Sequence, residues 1–229
     1  MGIRDRLKQV LVSVPVLHDI ASKLRTRRAV FGRAYDEPEL WGSTESASGR
    51  GSELGATEAL RTWLPELFQK LGVTSVLDAP CGDWNWMQHV DLAGIDYTGA
   101  DIVASVIEHH QAELARPGVK FMVTDLTQDP LPKADLVICR DCTIHLSFRD
   151  ISKMIENFRA SGAIWLLMTT SPNVTKNADQ LTGLRWRALN MRLAPFNFPA
   201  TAEYVDDNYP DEHLQTSLWN FANIPQQRY

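Results

Sequence analysis

Short apolar runs alternate with longer amphipathic stretches along most of the chain. Apolar positions recur three and four residues apart from Leu54 to Leu71, which predicts a helix that ends at Gly72. Two further helices are predicted over 102–114 and 149–158. The β-prone runs predict strands at 74–77, 96–100, 120–123, 134–139 and 163–169. Strands separated by helices predict an α/β fold with a doubly wound, Rossmann-like, mostly parallel sheet.

The first residues of the chain differ from the remainder in charge and periodicity. Residues 1–33 hold eight basic residues against two acidic ones, a net charge of +6, whereas the whole chain carries -5. Their apolar positions follow helical spacing, so residues 1–35 are predicted to be a basic amphipathic arm that Pro15 kinks or splits. The arm would clasp a second subunit in a homodimer, cover its own domain, or lie on an anionic membrane surface. Packing on protein is the favoured alternative.

Bulk composition narrows the class of protein. A chain of 229 residues with 44% hydrophobic residues is long enough for one substantial core. The pI of about 5.7 gives the chain no general attraction for nucleic acid, so no nucleic-acid partner is expected. Three cysteines without framework spacing favour a reducing compartment, and no run reaches the ~18 apolar residues of a membrane span. A cytoplasmic protein is expected.

Three carboxylates follow the first three predicted strands. Asp78, Asp101 and Asp125 come directly after strands one, two and three. Ligands of doubly wound sheets bind beyond the carboxyl ends of the strands, and a carboxylate after strand two can accept both hydrogen bonds of a ribose diol. A single aspartate there is weak evidence because turns favour aspartate, but three together predict a nucleoside site.

The segment after strand one reads Asp-Ala-Pro-Cys-Gly-Asp-Trp, and here the chain resembles the class I S-adenosylmethionine-dependent methyltransferases, over about residues 54–170. The resemblance implies a seven-stranded sheet, S-adenosylmethionine as cofactor and S-adenosylhomocysteine as product. It also implies that Asp101 holds the ribose and Ile102 packs on the adenine. The residues placed around the cofactor in this way are Asp78, Ala79, Pro80, Cys81, Gly82, Asp101, Ile102, Asp125 and Leu126.

The first motif departs from the family pattern in its glycines. Only Gly82 remains, with Pro80 and Trp84 at the neighbouring glycine positions. A bulky turn cannot easily approach a pyrophosphate, so the departure counts against a nicotinamide cofactor more than against S-adenosylmethionine, which carries no phosphate. Trp84 and Trp86 would wall the active site or pack in the core, and Trp86 is included in the predicted cofactor site.

Residues 36–53, which precede the predicted helix at Leu54 to Leu71, include a stretch of small polar residues. It would be a flexible linker or, as a similar Trp-Gly-Ser segment in some bacterial methyltransferases suggests, a lid over the methionine end of the cofactor. The lid is the favoured interpretation. The residues assigned to the cofactor from this segment are Trp41, Ser48, Gly49, Gly51 and Ser52.

The chain after strand four offers candidates for catalysis. His145 would remove a hydroxyl proton from the acceptor, or would only pack at the start of a helix. Asp141 would orient His145, act as the base itself, or cap the helix. Arg140, assigned to the cofactor site, would clamp an anionic group or pair with a carboxylate. Cys139 and Cys142 lack the further ligands of a zinc site, and no metal is predicted.

The last part of the chain would supply the acceptor pocket. Residues 171–200 form a long irregular insertion that is assigned to the acceptor, and 202–205 and 217–221 resemble a closing antiparallel pair within a methyltransferase domain at 54–229. The run at 206–208 is interpreted as a solvated turn rather than a magnesium site. The predicted reaction is O-methylation of a hydroxyl on a small molecule or a sugar or glycan. The alternatives are a cofactor-binding scaffold without turnover, and N-methylation of a small molecule or protein.

Overall fold

The computed structural model describes residues 26–201, 203–207 and 213–228. Most of the predicted arm, residues 1–25 with Pro15, lies outside this range, so its kink and its contacts with a subunit or a membrane stay predictions. Each helix in the described ranges is too short or too polar to cross a bilayer.

Within the described residues, seven strands form one sheet in the order β3-β2-β1-β4-β5-β7-β6. Strands β1 to β5 are parallel, β7 is antiparallel to β5, and β6 is antiparallel to β7. This confirms the predicted doubly wound, mostly parallel sheet with a closing antiparallel pair. The strand bounds are β1 Ser75–Asp78, β2 Asp96–Asp101, β3 Val119–Val123, β4 Leu136–Cys139, β5 Trp165–Thr170, β6 Tyr204–Asp206 and β7 Gln215–Asn220.

Four α-helices accompany the sheet in the described residues: α1 Arg27–Asp36, α2 Glu58–Leu71, α3 Ala104–Glu113 and α4 Phe148–Ala160. Gly72 ends α2 in the left-handed conformation, at φ 63°, which glycine adopts without steric cost. Ser147 starts α4 because its side chain accepts a hydrogen bond from the N–H of Asp150 at 3.1 Å.

The crossover from β1 to β2 contains no α-helix, although parallel strands are usually connected through one. Residues 79–95, all described, contain only a short 3-10 turn at Met87–His89. Trp84 interrupts any helix there because its backbone is left-handed at φ 59°, and its fully buried indole donates to the Tyr97 hydroxyl at 2.9 Å. The large side chain thus fills space beside the sheet that a helix would otherwise cover.

The core forms two layers because alternate strand residues point to opposite faces of the sheet. Leu77 and Val137 pack with the apolar residues of α4 on one face. Val76 and Leu136 pack with those of α2 and α3 on the other. Strand order reverses between β1 and β4, and this switch point opens the crevice that positions the site.

Candidate active site

A cavity of about 470 Å³ lies at the carboxyl ends of β1, β2 and β4. Its volume is within the range of about 300–1,000 Å³ that is usual for ligand pockets. All the predicted site residues except Ala79 line it. They are Trp41, Ser48, Gly49, Gly51, Ser52, Asp78, Pro80, Cys81, Gly82, Trp86, Asp101, Ile102, Asp125, Leu126, Arg140, Asp141 and His145.

Ala79 belongs to the core instead of the cavity lining. Its side chain is fully buried in the α4 layer, and its N–H donates to the carbonyl of Ile138 at 2.8 Å. The alternation of the strand, continued by one residue beyond β1, turns Ala79 to the face opposite Asp78.

Asp78 ends β1 inside a chain of buried hydrogen bonds. The Tyr97 hydroxyl donates to its carboxylate at 2.5 Å, while Trp84 Nε1 donates to the same hydroxyl at 2.9 Å. Burial raises the pKa of Asp78 to about 7; the nearby charge of Asp101 adds to this, and the Tyr97 hydrogen bond and Arg140 oppose it. The carboxylate is therefore oriented firmly but is costly to ionise.

Asp101 ends β2 and is held by the backbone. One carboxylate oxygen accepts from the N–H of Val103 at 2.9 Å and the other from the N–H of Gly82 at 3.2 Å. Burial raises the pKa of Asp101 to about 6, although these hydrogen bonds favour the charged form. Each oxygen keeps acceptor capacity toward the cavity, because a carboxylate offers about four lone-pair positions.

The carboxylate of Asp125, which follows β3, forms an ion pair that the sequence did not suggest. Arg27 of α1 donates to its carboxylate through Nη2 at 2.8 Å and Nε at 3.1 Å, and also reaches Asp150 at 3.3 Å. Burial opposes the charge, but the hydrogen bonds from Arg27 and Thr127 still lower the pKa of Asp125 below its usual value. This ion pair fastens α1 across the carboxyl ends of the strands.

Helix α1 contributes three lining residues that sequence reasoning missed. Arg27, Phe31 and Tyr35 all line the cavity. They are four residues apart, so they share one face of the helix, and that spacing was the available signal. The end of the predicted arm thus covers its own domain.

The loop at 41–52 is fastened to the turn after β1. One oxygen of Asp83 accepts hydrogen bonds from Ser46 Oγ at 2.8 Å and from the N–H of Ala47 at 2.7 Å. Ser48 Oγ in turn accepts from the N–H of Asp83 at 2.8 Å and lies 3.0 Å from the Tyr35 hydroxyl. The loop therefore closes one side of the cavity as an ordered structure.

Gly82 makes this close approach possible. Its φ is 55°, and a Cβ built on it would overlap Ser48 Oγ. His110 supports the same turn by donating through Nε2 to the Gly82 carbonyl at 2.8 Å. The one glycine that remains of the family motif is thus required by the packing of the loop on the turn.

Arg140, after β4, links three separate parts of the cavity wall. Its Nη1 donates to the Gly51 carbonyl at 2.8 Å and lies 3.0 Å from Asp141, and its Nη2 lies 3.2 Å from Asp207. Although burial opposes the charge, Asp141 and Asp207 raise the pKa of Arg140 above its usual value. The sequence predicted a solvated turn at Asp207, but its carboxylate is buried because the Arg140 cation compensates it.

Two other side chains after β1 and β4 complete this wall. Trp86 both lines the cavity and is buried, with the Arg140 guanidinium 5.9 Å from its ring centre. Asp141 has a left-handed backbone at φ 51°, and its carboxylate accepts from Thr169 Oγ1 at 3.0 Å.

Cys139 and Cys142 are free thiols, and the described residues contain no cluster of three or more potential metal ligands.

His145 faces the cavity in one defined tautomer. Its Nδ1 lies 3.2 Å from the carbonyl of Arg185, and since a carbonyl only accepts, Nδ1 carries the proton. Trp41 stacks on the ring with centroids 5.7 Å apart and planes 26° apart. Burial lowers the pKa of His145, so the ring is neutral near pH 7 and Nε2 keeps its lone pair.

The irregular segment 171–200 meets the cavity through two apolar side chains. Leu184 and Trp186 line the cavity. Its polar side chains mostly bind backbone groups: Asn177 and Asn190 hold carbonyls within the segment, and Asp179 accepts from the first N–H of α4 at 2.7 Å. Phe196 and Phe198 are buried in the α4 layer. The assignment of this segment to the acceptor therefore depends on its apolar members.

The lining fits S-adenosylmethionine better than it fits a phosphate-bearing nucleotide. Of the four carboxylates that line the cavity, Asp125 and Asp141 are paired with Arg27 and Arg140, whereas Asp78 and Asp101 have no ion pair in the described residues. A nucleoside with a sulfonium and an ammonium group brings two positive charges to these carboxylates. Asp101 would hold the ribose, and Arg140, whose buried Nε has no hydrogen-bond partner in the described part of the chain, would lie near an anionic group.

Comparison with known proteins agrees with this fit. Residues 76–161 match the profile of the family described as methyltransferase domain. A comparison of the sequence with curated proteins finds no significant match.

Several solved structures share the fold. Magnesium protoporphyrin IX methyltransferase from Synechocystis PCC 6803 with bound SAH is 17% identical over 84% of this chain and 97% of that one, with a TM-score of 0.60. 1,6-Didemethyltoxoflavin-N1-methyltransferase from Burkholderia thailandensis is 15% identical over 89% of this chain and 89% of that one, with a TM-score of 0.56. Human N-acetylserotonin methyltransferase in complex with SAM is 14% identical over 90% of this chain and 60% of that one, with a TM-score of 0.53. The likeness at these identities concerns the fold. Residues 76–161 thus match a methyltransferase domain, and the sheet around them has the fold of class I methyltransferases that use S-adenosylmethionine.

Proposed function

We propose that the enzyme methylates a hydroxyl oxygen of a small molecule and that His145 is the catalytic base. The observation that carries the proposal is the 3.2 Å contact between His145 Nδ1 and the Arg185 carbonyl in a residue that lines the cavity, because this contact assigns the proton to Nδ1 and leaves Nε2 able to accept one. A small-molecule acceptor is supported by the similar structures, whose names specify magnesium protoporphyrin IX and 1,6-didemethyltoxoflavin.

The carboxyl ends of β1 to β3 would bind the cofactor. Asp101 would accept from the ribose hydroxyls, Ile102 would pack on the adenine, and Leu126 with Asp125 would lie at the adenine edge. Asp78, the backbone of 80–82 and the 36–53 segment would surround the methionine portion. When bound, S-adenosylmethionine supplies a methyl group on a positively charged sulfur. Helix α1 and the loop at 41–52 would exclude water from that group.

His145 would act on the acceptor rather than on the cofactor. An acceptor hydroxyl that donates to Nε2 would pass its proton to the ring as its oxygen gains the methyl group. The Arg185 carbonyl and the stacked Trp41 hold the ring in one orientation while it gains the charge. Asp141, whose charge favours protonated His145, would act as a positioning residue.

Replacing His145 tests the proposal. Purified protein, isotope-labelled S-adenosylmethionine and a small-molecule cell extract identify the acceptor and the methylated atom by mass spectrometry. With that acceptor, we expect His145→Ala to lower kcat by about 100-fold or more, because a positioned base contributes that much. Binding of S-adenosylhomocysteine should stay unchanged.

The matched control is His89→Ala, since His89 is exposed and outside the cavity lining. Full turnover of a hydroxyl acceptor by His145→Ala would exclude His145 as the base. Label on nitrogen would favour the N-methyltransferase alternative, and cofactor binding without any labelled product would favour the scaffold.

A further inference from the structure

We infer that the acceptor is a planar, largely apolar ring compound, and that Trp186 is the side chain on which the ring stacks. The inference rests on the proposed function, because it takes His145 as the point that the reacting hydroxyl reaches. It selects one acceptor class from those that the sequence leaves open.

The cavity has two chemically different ends. The carboxylates of Asp78, Asp101 and Asp125 lie at the ends of β1 to β3, where the cofactor is proposed to bind. The His145 end combines the charges of Asp141 and Arg187 with apolar side chains. Trp41 stacks on the ring, Phe31 approaches it edge-on with ring centres 6.4 Å apart, and further apolar lining comes from Leu40, from Ile144 and from the segment that binds the ring. These apolar residues are Phe31, Leu40, Trp41, Ile144, Leu184 and Trp186.

Two side-chain amides of the segment next to His145 are already used, and Trp41 Nε1 is a buried donor near His145 without a partner in the described residues. A glycan offers many hydroxyls, each of which needs a hydrogen-bond partner when it leaves water. Gln180 donates to the carbonyls of Ile144 and Arg185, and Asn177 to those of Asn190 and Ala194. Because these amides are satisfied within the protein and lie outside the cavity lining, they are not free to bind the many hydroxyls of a sugar.

Trp186 is an exposed aromatic residue in the wall of a cavity. Its exposed fraction of 53% is the highest among the large exposed hydrophobic side chains of the described residues. Leu40, at 44%, also lines the cavity. Exposed apolar side chains that gather at a concave site mark a binding surface, and the flat face of an indole favours a stacked ring.

Trp186 and His145 are held in a fixed relation. On one side of Trp186, the Arg185 carbonyl accepts from His145 Nδ1. On the other, the Arg187 N–H donates to the Ile144 carbonyl at 3.0 Å, and the Arg187 guanidinium donates to the carbonyls of Thr143, Ile144 and Leu146 at 2.7–3.1 Å. These hydrogen bonds tie the backbone on both sides of Trp186 to the turn that carries His145, so the two side chains belong to one connected wall of the cavity.

Calorimetry on the full chain saturated with S-adenosylhomocysteine tests the inference. The probes are 2-naphthol and 7-hydroxycoumarin, with methyl glucoside and a short oligosaccharide as the polar alternatives. We expect the ring alcohols to bind and the sugars not to bind. Trp186→Ala should weaken ring binding by about tenfold, Trp186→Phe should largely retain it, and the affinity for S-adenosylhomocysteine should stay unchanged.

Tyr204→Ala is the matched control, because Tyr204 is 47% exposed but lies on β6 outside the cavity lining. Failure of both ring alcohols to bind, or unchanged ring binding by Trp186→Ala, would overturn the inference. Transfer of labelled methyl separates it from the proposed function. A methylated sugar hydroxyl would overturn ring recognition alone, whereas methylation of 2-naphthylamine with no product from bound 2-naphthol would overturn the proposed hydroxyl chemistry alone.

Discussion

Two buried carboxylates at the ends of β1 and β2 lack a direct ion pair in the described residues. Asp78 receives a hydrogen bond from a neutral phenol, and Asp101 receives its hydrogen bonds from backbone N–H groups. Their pKa values of about 7 and about 6 lie above the usual value for aspartate, so the folded, ligand-free protein binds protons more tightly there than the unfolded chain. These two groups therefore favour the folded state less as pH rises from about 4 to about 7.

A cationic cofactor favours the ionised forms of Asp78 and Asp101, so cofactor binding should depend on pH. Because the sulfonium and ammonium groups favour ionised carboxylates, the affinity for S-adenosylmethionine should rise between about pH 5 and pH 8 as Asp78 and Asp101 lose their protons. Asp78→Asn should lower the affinity and flatten its pH dependence in calorimetric titrations. Asp96→Asn, at the exposed start of β2, is the control and should keep the wild-type profile. An unchanged profile for Asp78→Asn would contradict the prediction.

At the residue scale, side chains whose position follows from the strand pattern could be predicted, and those brought in by tertiary docking could not. Asp78, Asp101 and Asp125 meet at one edge because parallel strands end there together. Arg27 and Tyr35 could not be placed, because their spacing shows a shared helix face but not the surface that the face contacts. The same limit applies to Trp186, whose role depends on how an irregular segment folds back on His145.

At the scale of elements, the loop at 41–52 and the crossover after β1 form one structure. Four hydrogen bonds at this contact involve Asp83: it accepts from Ser46 Oγ and the N–H groups of Ala47 and Ser48, and its own N–H donates to Ser48 Oγ. The sequence predicted strands and helices closely, but not this contact, since neither segment has periodic structure. Nor could it predict the missing helix at 79–95, which depends on the burial of Trp84 against Tyr97.

Removing the Asp83 carboxylate should loosen the loop without unfolding the domain. Hydrogen bonds to a charged group contribute about 1.5–3 kcal/mol, so local opening should become easier by about 2 kcal/mol in Asp83→Ala. We expect amide exchange at 47–49 to accelerate about 30-fold, measured by native-state hydrogen exchange, and the affinity for S-adenosylhomocysteine to fall. Asp91→Ala, an exposed position in the same crossover, should change neither. Protected amides in Asp83→Ala would show that the loop is held by other contacts.

At the scale of the whole molecule, the cavity exists only when distant parts of the chain assemble. Its lining comes from α1, the loop at 41–52, the ends of four strands and the segment that carries Trp186. A ligand of this cavity therefore binds the folded state and has no equivalent site in the unfolded chain. Binding must then raise the free energy of unfolding by mass action.

Thermal unfolding gives a direct measure of this coupling. S-adenosylhomocysteine at about 100 times its Kd should add about 2.7 kcal/mol to the free energy of unfolding. For a chain of this size that corresponds to a rise in Tm of about 5–10 °C in calorimetric scans. NAD at the same concentration should leave Tm unchanged, because Pro80 and Trp84 stand where glycines would let the turn after β1 approach a pyrophosphate. An equal shift with NAD would contradict the assignment of the cavity to a phosphate-free nucleoside.

The contacts of the Arg187 guanidinium limit how the substrate range of such an enzyme can change. Since this one side chain fastens the segment with Trp186 to the backbone turn with His145, an altered segment length would displace the base along with the wall. New substrates would then be reached by exchanging the two side chains of this segment that line the cavity, Leu184 and Trp186, on an unchanged backbone. Directed evolution of this enzyme should accordingly accept point substitutions at those positions and reject insertions between them.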